Sequence, residues 1–240
     1  MLMRSGPLKL ILGMIFVVLA AGCVKSADTK KPSAPINHVA LVSFSVANWH
    51  GMVTGTSGSS GRAAELIDST LAHLVAETES KLSGVMRVTK VSSFVGSAGY
   101  RGLGVKNDLE ILLPKVGGHP LEVFVKENND LIAAKLPSDV AKKLCATLKV
   151  DAVVVVYSEW AWSQGHFVPT RRALTKDVVS VWDRNGNQVF NKRVDSNGEG
   201  VLGGPIGPIV VNEGTINQWG GAYLKGLDAI FKEMGNLRHP

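Results

Sequence analysis

The run Asp151-Ala-Val-Val-Val-Val-Tyr157 leaves little choice of fold. It is apolar without alternation, so as a strand it needs cover on both faces, which places it in the middle of a sheet with other chain packed on each side. The residues around it agree. Ser138 is the expected N-cap of a helix of about eleven residues, whose stripe Val140, Ala141, Leu144, Cys145 and Leu148 ends against Val150. Downstream, Asp177–Trp182 and Gln188–Val194 flank Asp183-Arg-Asn-Gly-Asn187, and Asn-Gly between two such runs predicts a β-hairpin.

Upstream, Val39–Val46 reads as a buried strand, followed by a Gly/Ser-rich loop from Gly51 to Gly61. From Arg62 onward Ala63, Leu66, Ile67, Leu71, Leu74, Val75 and Leu82 recur at helical spacing until Gly84. The Val-, Thr- and Phe-rich stretch Val85–Val95 then returns to a strand, giving a strand-helix-strand unit with a right-handed crossover. Residues 96–136 are broken by Gly96, Gly99, Gly102, Gly104, Gly117 and Gly118 into weak pieces around Leu109–Leu113 and Leu121–Val125. A last helix starts near Thr215 and carries Trp219, Tyr223, Leu224, Leu227, Ile230, Phe231 and Met234 on one side. The expectation is an α/β (α+β) domain over residues 38–234, with a mixed sheet of about five strands, about three helices and a short tail at 235–240.

The N-terminal segment belongs outside that domain. A basic head (Arg4, Lys9) precedes the apolar run Leu10–Ala20, which is too short to span a bilayer and reads as a secretory signal over residues 1–22. The run closes on Leu19-Ala-Ala-Gly-Cys23, which resembles the lipobox of bacterial lipoproteins. That resemblance implies acylation of Cys23, and Val24 rather than Asp after it implies sorting to the outer membrane, facing the periplasm. Such boxes more often carry Leu where this chain has Ala20, so secretion without lipid is the alternative. Residues 23–37, polar and Pro-containing, read as the lipidated cysteine and a flexible tether. Cys145 then remains as the one other cysteine, so no intramolecular disulfide forms.

The order of elements, with Leu148-Lys-Val-Asp-Ala-Val-Val-Val-Val-Tyr157 after a helix and Val179-Ser-Val-Trp-Asp-Arg-Asn-Gly-Asn-Gln-Val189 as a later turn, is similar to a known domain type. It resembles the domain shared by the TolB N-terminal region, the penicillin-binding-protein activator LpoB and the curli secretion lipoprotein CsgG. The resemblance covers about residues 38–234 and implies a non-enzymatic module that binds an envelope protein or assembles with itself. A CsgG-like oligomeric secretion component would need two hairpins of long alternating strands, and only the segment 177–194 offers anything similar.

Composition narrows the partners. The formal charge of +6 comes from 26 Lys+Arg against 20 Asp+Glu, with bases single or paired among acids, so a nucleic-acid face is not expected. Gly55-Thr-Ser-Gly-Ser-Ser-Gly61 lacks the Gly-Lys-Ser/Thr ending of a phosphate loop. Asp183-x-Asn185-x-Asn187 and Asp195-x-Asn197-x-Glu199 begin like calcium loops but lack the acidic twelfth ligand, Val194 and Ile206 standing there, so turn chemistry is the expectation. The six histidines are scattered, Cys145 sits on an apolar stripe, and no Gly-x-Ser-x-Gly elbow occurs, so neither metal, cofactor nor catalytic residue is assigned.

What remains is surface. Trp160, Trp162 and Phe167 in one segment and Ile206 and Ile209 in a Gly/Pro loop are the candidate partner-binding residues, because aromatic and apolar groups concentrate at interfaces. The competing reading has the tryptophans covering a helix. A hydrolase or other enzyme acting on envelope material is the functional alternative.

Overall fold

The computed structural model describes residues 29–48, 61–106, 110–164, 170–204, 209 and 212–238, with the side chains of 48 and 61–63 left aside. Cys23 and the signal lie outside the described residues. Among the described residues eight strands and five α-helices follow one another: β1 His38–Asn48, α1 Gly61–Ser83, β2 Arg87–Thr89, α2 Ala98–Arg101, β3 Ile111–Leu112, β4 Lys115–Val116, β5 His119–Pro120, α3 Asn128–Ile132, α4 Ser138–Leu148, β6 Ala152–Gln164, β7 Arg171–Asp183, β8 Gln188–Gly203 and α5 Glu213–Met234. The main sheet is mixed and has six strands in the order β2-β1-β6-β7-β8, with β3 also on β1, while β4 and β5 form a separate ribbon. This is the expected α/β class. No helix among the described residues is long and apolar enough to cross a membrane.

The run that demanded cover on both faces gets it. Ala152 to Ser158 are all buried in β6, which is parallel to β1 on one side and antiparallel to β7 on the other. On one face Phe44 of β1 meets Tyr223 of α5, their centroids 5.3 Å apart, and Thr78 of α1 shares a 2.8 Å hydrogen bond with the Tyr223 hydroxyl. On the other face Ser180 of β7 donates to the Ala134 carbonyl, and the Cys145 thiol of α4 lies 3.9 Å from the Trp182 carbonyl oxygen.

β1 pairs with β6 through a bulge, its register slipping between Leu41 and Ser43. A bulge leaves a residue outside the ladder. The spare Val42 carbonyl is met by the buried Tyr100 hydroxyl at 2.6 Å, which in turn accepts the Glu122 N–H at 2.8 Å. Burial holds that phenol well above its ordinary range, consistent with a structural hydroxyl.

Several expectations need correction. The strand expected over 85–95 is three residues long, because the chain turns into a 3-10 helix at Val91–Ser93 and then α2. The weak piece around 109–113 contributes β3, and Gly117 and Gly118, with φ of 59° and 83°, close the β4–β5 turn. Ser138 is the first residue of α4 and not its cap; Pro137 holds the cap position without a side-chain bond. α5 starts two residues before Thr215, capped reciprocally by Asn212 and Thr215. β7 begins at Arg171 and β8 ends at Gly203, both far longer than 177–182 and 188–194.

The packed body also extends beyond 38–234. Lys30 N–H donates to the Gln188 carbonyl, and Ile36 is 2% exposed with its N–H on the Leu237 carbonyl, itself in a 3-10 turn at Gly235–Arg238. Part of the expected tether is therefore docked, from Lys30 to Ile36, and Leu237 of the expected tail packs in the core.

Candidate functional site

Chain and sheet define two ends. Lys30 enters beside Gln188, at the end where β1, β6 and β8 start; this is the proximal end. At the other, distal end β6, β7 and β8 run on past the last pairing with β1, Asn48 with Trp160. Here the sheet is buried on one face only: Arg171, Ala173 and Thr175 of β7 and Ser196, Gly198 and Leu202 of β8 are buried, while Arg172, Asn197, Glu199 and Val201 between them are exposed.

α5 supplies the single cover. Trp160 of β6 stacks on Trp219 with centroids 6.1 Å apart and planes 3° from parallel, and the Trp219 indole N–H donates to the Ala161 carbonyl at 2.6 Å. Below them Asp177 is fully buried, accepting from Ser158 Oγ at 2.6 Å and Thr175 Oγ1 at 2.8 Å. Burial pushes this carboxyl up to about 7 against the opposing pull of those two hydroxyls. Gly226 lets α5 approach this close: a Cβ there would fall 2.7 Å from Asp177 Oδ2 and 3.0 Å from Ser196 Oγ.

Beside this seam, between β8 and α5, lies a groove of about 640 Å³ lined by Asn197, Glu199, Gly200, Asn217, Gln218 and Lys225 among others. Glycine makes it: Cβ atoms at Gly198 and Gly200 would sit 2.9 Å from the Gln218 carbonyl oxygen and 2.6 Å from its side chain. Gln218 Oε1 accepts the Gly200 N–H at 2.7 Å. Among the described residues β8 is the last strand of the sheet, so the groove runs along an open edge whose neighbours are amides, two carboxylates and an ammonium group.

The five candidate contact residues are distributed unevenly. Trp160 is 0% exposed, Ile209 is 5% exposed and Trp162 is half-buried, whereas Phe167 and Ile206 lie outside the described residues. Trp160 and Ile209 are therefore corrected from contact surface to core, and the competing reading of the tryptophans holds for Trp160, which carries α5. Trp162 is partly covered by the buried Arg171, whose guanidinium carbon stands 5.8 Å from the ring centroid while its Nε donates to the Gly204 carbonyl at 2.8 Å. Arg171 thus joins the two segments singled out from the sequence. Among the described residues Val201 is the exposed large hydrophobic group, at 53%. The groove itself was not foreseen; Gly198 and Gly200 in a strand were its signal.

The remaining candidates resolve into structure. Asp183 Oδ1 accepts the N–H groups of Asn185 and Asn187 at 2.9 and 2.8 Å, an Asx-type turn, and Asp195 pairs with Arg193 at 2.9 and 3.2 Å. Cys145 is buried and its thiol is pushed up to about 12 by desolvation first, then by the nearby Asp183 charge. Among the described residues no three His, Cys, Asp or Glu side chains converge as a metal ion requires. A second hollow of about 570 Å³ near α2 is lined by Arg101, Lys106 and Glu122, with Arg101 Nε 3.7 Å from Glu122 Oε1. The Gly55–Ser60 part of the glycine-rich loop lies outside the described residues, and Gly61 opens α1.

No family model matches the sequence, and no curated protein matches it. Among solved structures the chain is similar to a lipoprotein from Neisseria meningitidis, GNA1162, at 13% identity and a TM-score of 0.35, covering 80% of this chain and 99% of that one. It is also similar to the hypothetical protein CT253 from Chlamydia trachomatis, at 12% identity and a TM-score of 0.38, covering 85% and 98%. Scores this low carry nothing from those proteins to this chain.

Proposed function

We propose that this chain is a lipid-anchored outer-membrane protein facing the periplasm, where its domain acts as a non-enzymatic binding module for another envelope protein. Cys23 carries the lipid, and the domain is of the TolB-N/LpoB-like type that the sequence resembles. The observation behind the binding role is the groove beside the open β8 edge, at the end of the body away from Lys30. Its Gly floor, the amides of Asn197, Asn217 and Gln218 and the strand edge suit the main chain of an extended segment, for which hydrogen bonds supply affinity without a deep apolar pocket.

The test is site-specific photo-crosslinking of the full chain in its native envelope. A photoreactive side chain in place of Asn217 is expected to give a discrete adduct with one envelope protein, while the same group in place of the exposed Lys142 on α4 gives none. Unmodified monomer from both positions would contradict the proposal.

A further inference from the structure

At the proximal end, α1, α4 and α5 all finish, β1, β2, β6 and β8 all start, and β7 ends. Short contacts weave these termini into one floor. Asp151 Oδ2 accepts the N–H groups of Asn37 and His38 at 3.0 and 2.9 Å, and Asp151 is also paired with Arg184 of the β7–β8 turn. Arg87 meets His38 Nδ1 at 2.7 Å, Arg238 Nη1 donates to the Val85 carbonyl at 3.2 Å, and Asn185 Nδ2 donates to Ser33 Oγ at 2.9 Å. Lys149 caps the C-terminus of α4 in a left-handed conformation, directly before Val150 and Asp151.

The floor is strongly one-signed. Lys30, Lys31, Arg87, Lys149, Arg184 and Arg238 are all exposed on it. The acids nearest them are Asp151, half-buried and engaged by Arg184, Asp183, 4% exposed and occupied by the turn N–H groups, and exposed Glu233 in the last turn of α5, paired with Lys192 at 2.9 Å. Three helix C-termini add roughly half a negative unit each, so that with the two aspartates set against the six bases the floor keeps a positive balance of about two to three charges. At the distal end, by contrast, exposed bases and acids occur together, Arg172 and Lys225 with Glu199 and Glu213.

Lys30 lies seven residues after Cys23. Whatever path those residues take, a chain that long reaches about 25 Å at most. With Cys23 in the bilayer, this basic floor is the part of the body held nearest the headgroups, and a screening length of about 8–10 Å brings it into their field once it touches down.

We propose that the proximal floor, formed by Lys30, Lys31, Arg87, Lys149, Arg184 and Arg238, docks on the anionic headgroups of the membrane in which the chain is anchored, so that the β8 groove is turned away from the bilayer. The docking rests on the anchoring proposed above, and it adds an orientation that a lipid on a flexible tether does not provide.

The experiment uses the full chain with Cys23→Ser, so that no acyl group contributes, and vesicles of phosphatidylcholine alone or with about one-third phosphatidylglycerol. Residues 1–22 are common to every variant, so the change in preference between variants isolates the floor. The parent is expected to favour the anionic vesicles by about tenfold or more at low salt. Lys31→Glu with Lys149→Glu should remove most of that preference, and Arg172→Glu at the distal end should leave it in place. Salt gives the same answer without substitution, because the preference should collapse by roughly 0.5 M. Equal binding to both vesicles, a preference that survives salt, or one that the double variant retains would each overturn the proposal. Acylation of Cys23 is scored separately by lipid labelling, so failure of anchoring and failure of docking are told apart.

Discussion

Proximal and distal halves of the same three strands are built on different rules. In the proximal half, Val153 to Val156 of β6 and Val178 to Val181 of β7, Ser180 included, are buried on both faces, with α5 on one side and α3 and α4 on the other. In the distal half, burial alternates along β7 and β8 because α5 covers a single face. The proximal half therefore draws its stability from two layers of apolar packing. The distal half depends on one helix, one tryptophan stack and one buried polar cluster, and leaves its other face and edge to solvent or to a partner.

The largest expected effect follows from that dependence. Trp219→Ala removes the stack on Trp160 and the hydrogen bond to the Ala161 carbonyl, and should cost about 3–5 kcal/mol in denaturant unfolding. Hydrogen exchange should quicken in residues 160–164 and 196–203 first, while Val153–Val156 stay protected; uniform loss of protection would erase the distinction between the halves.

Next comes Asp177, at the junction. Its folded-state pKa of about 7 lies above the unfolded carboxylate value, so the native state holds the proton more tightly. Its favourable contribution is complete below the unfolded pKa of about 4 and is lost as pH rises through about 7. Stability should fall across that window by an amount of the order of a few kcal/mol, and Asp177→Asn should flatten the dependence when Tm is followed against pH.

Smaller still is a pair of glycines on α5. Gly226→Ala drives a methyl group against Asp177 and Ser196 and should cost about 1–3 kcal/mol. Gly221→Ala meets nothing within 4 Å and should gain up to about 1 kcal/mol from helix propensity. If thermal melts gave both the same sign, the close seating of α5 on the distal seam would be wrong.

These halves also differ in how plainly the sequence announces them. A run such as Ala152–Tyr157 has one stable use, and Asn185-Gly186 between two strands has nearly one, so the proximal sheet and its hairpin could be read directly. The distal strands hide for physical reasons. Gly198 and Gly200 look like a loop but serve the close approach of α5, and buried Arg171 looks like a surface charge until Trp162 and the Gly204 carbonyl are placed beside it. Trp160 reads as a contact residue because nothing local reveals Trp219, 59 residues later, as the group that covers it. The groove is a product of that long-range packing and has no motif of its own.

Everything about the orientation of the two halves depends on Cys23. Growth with radiolabelled palmitate, followed by recovery of the chain, measures this directly. The account predicts label in the parent and none after Cys23→Ser; no label in the parent, or equal label in both, would contradict it.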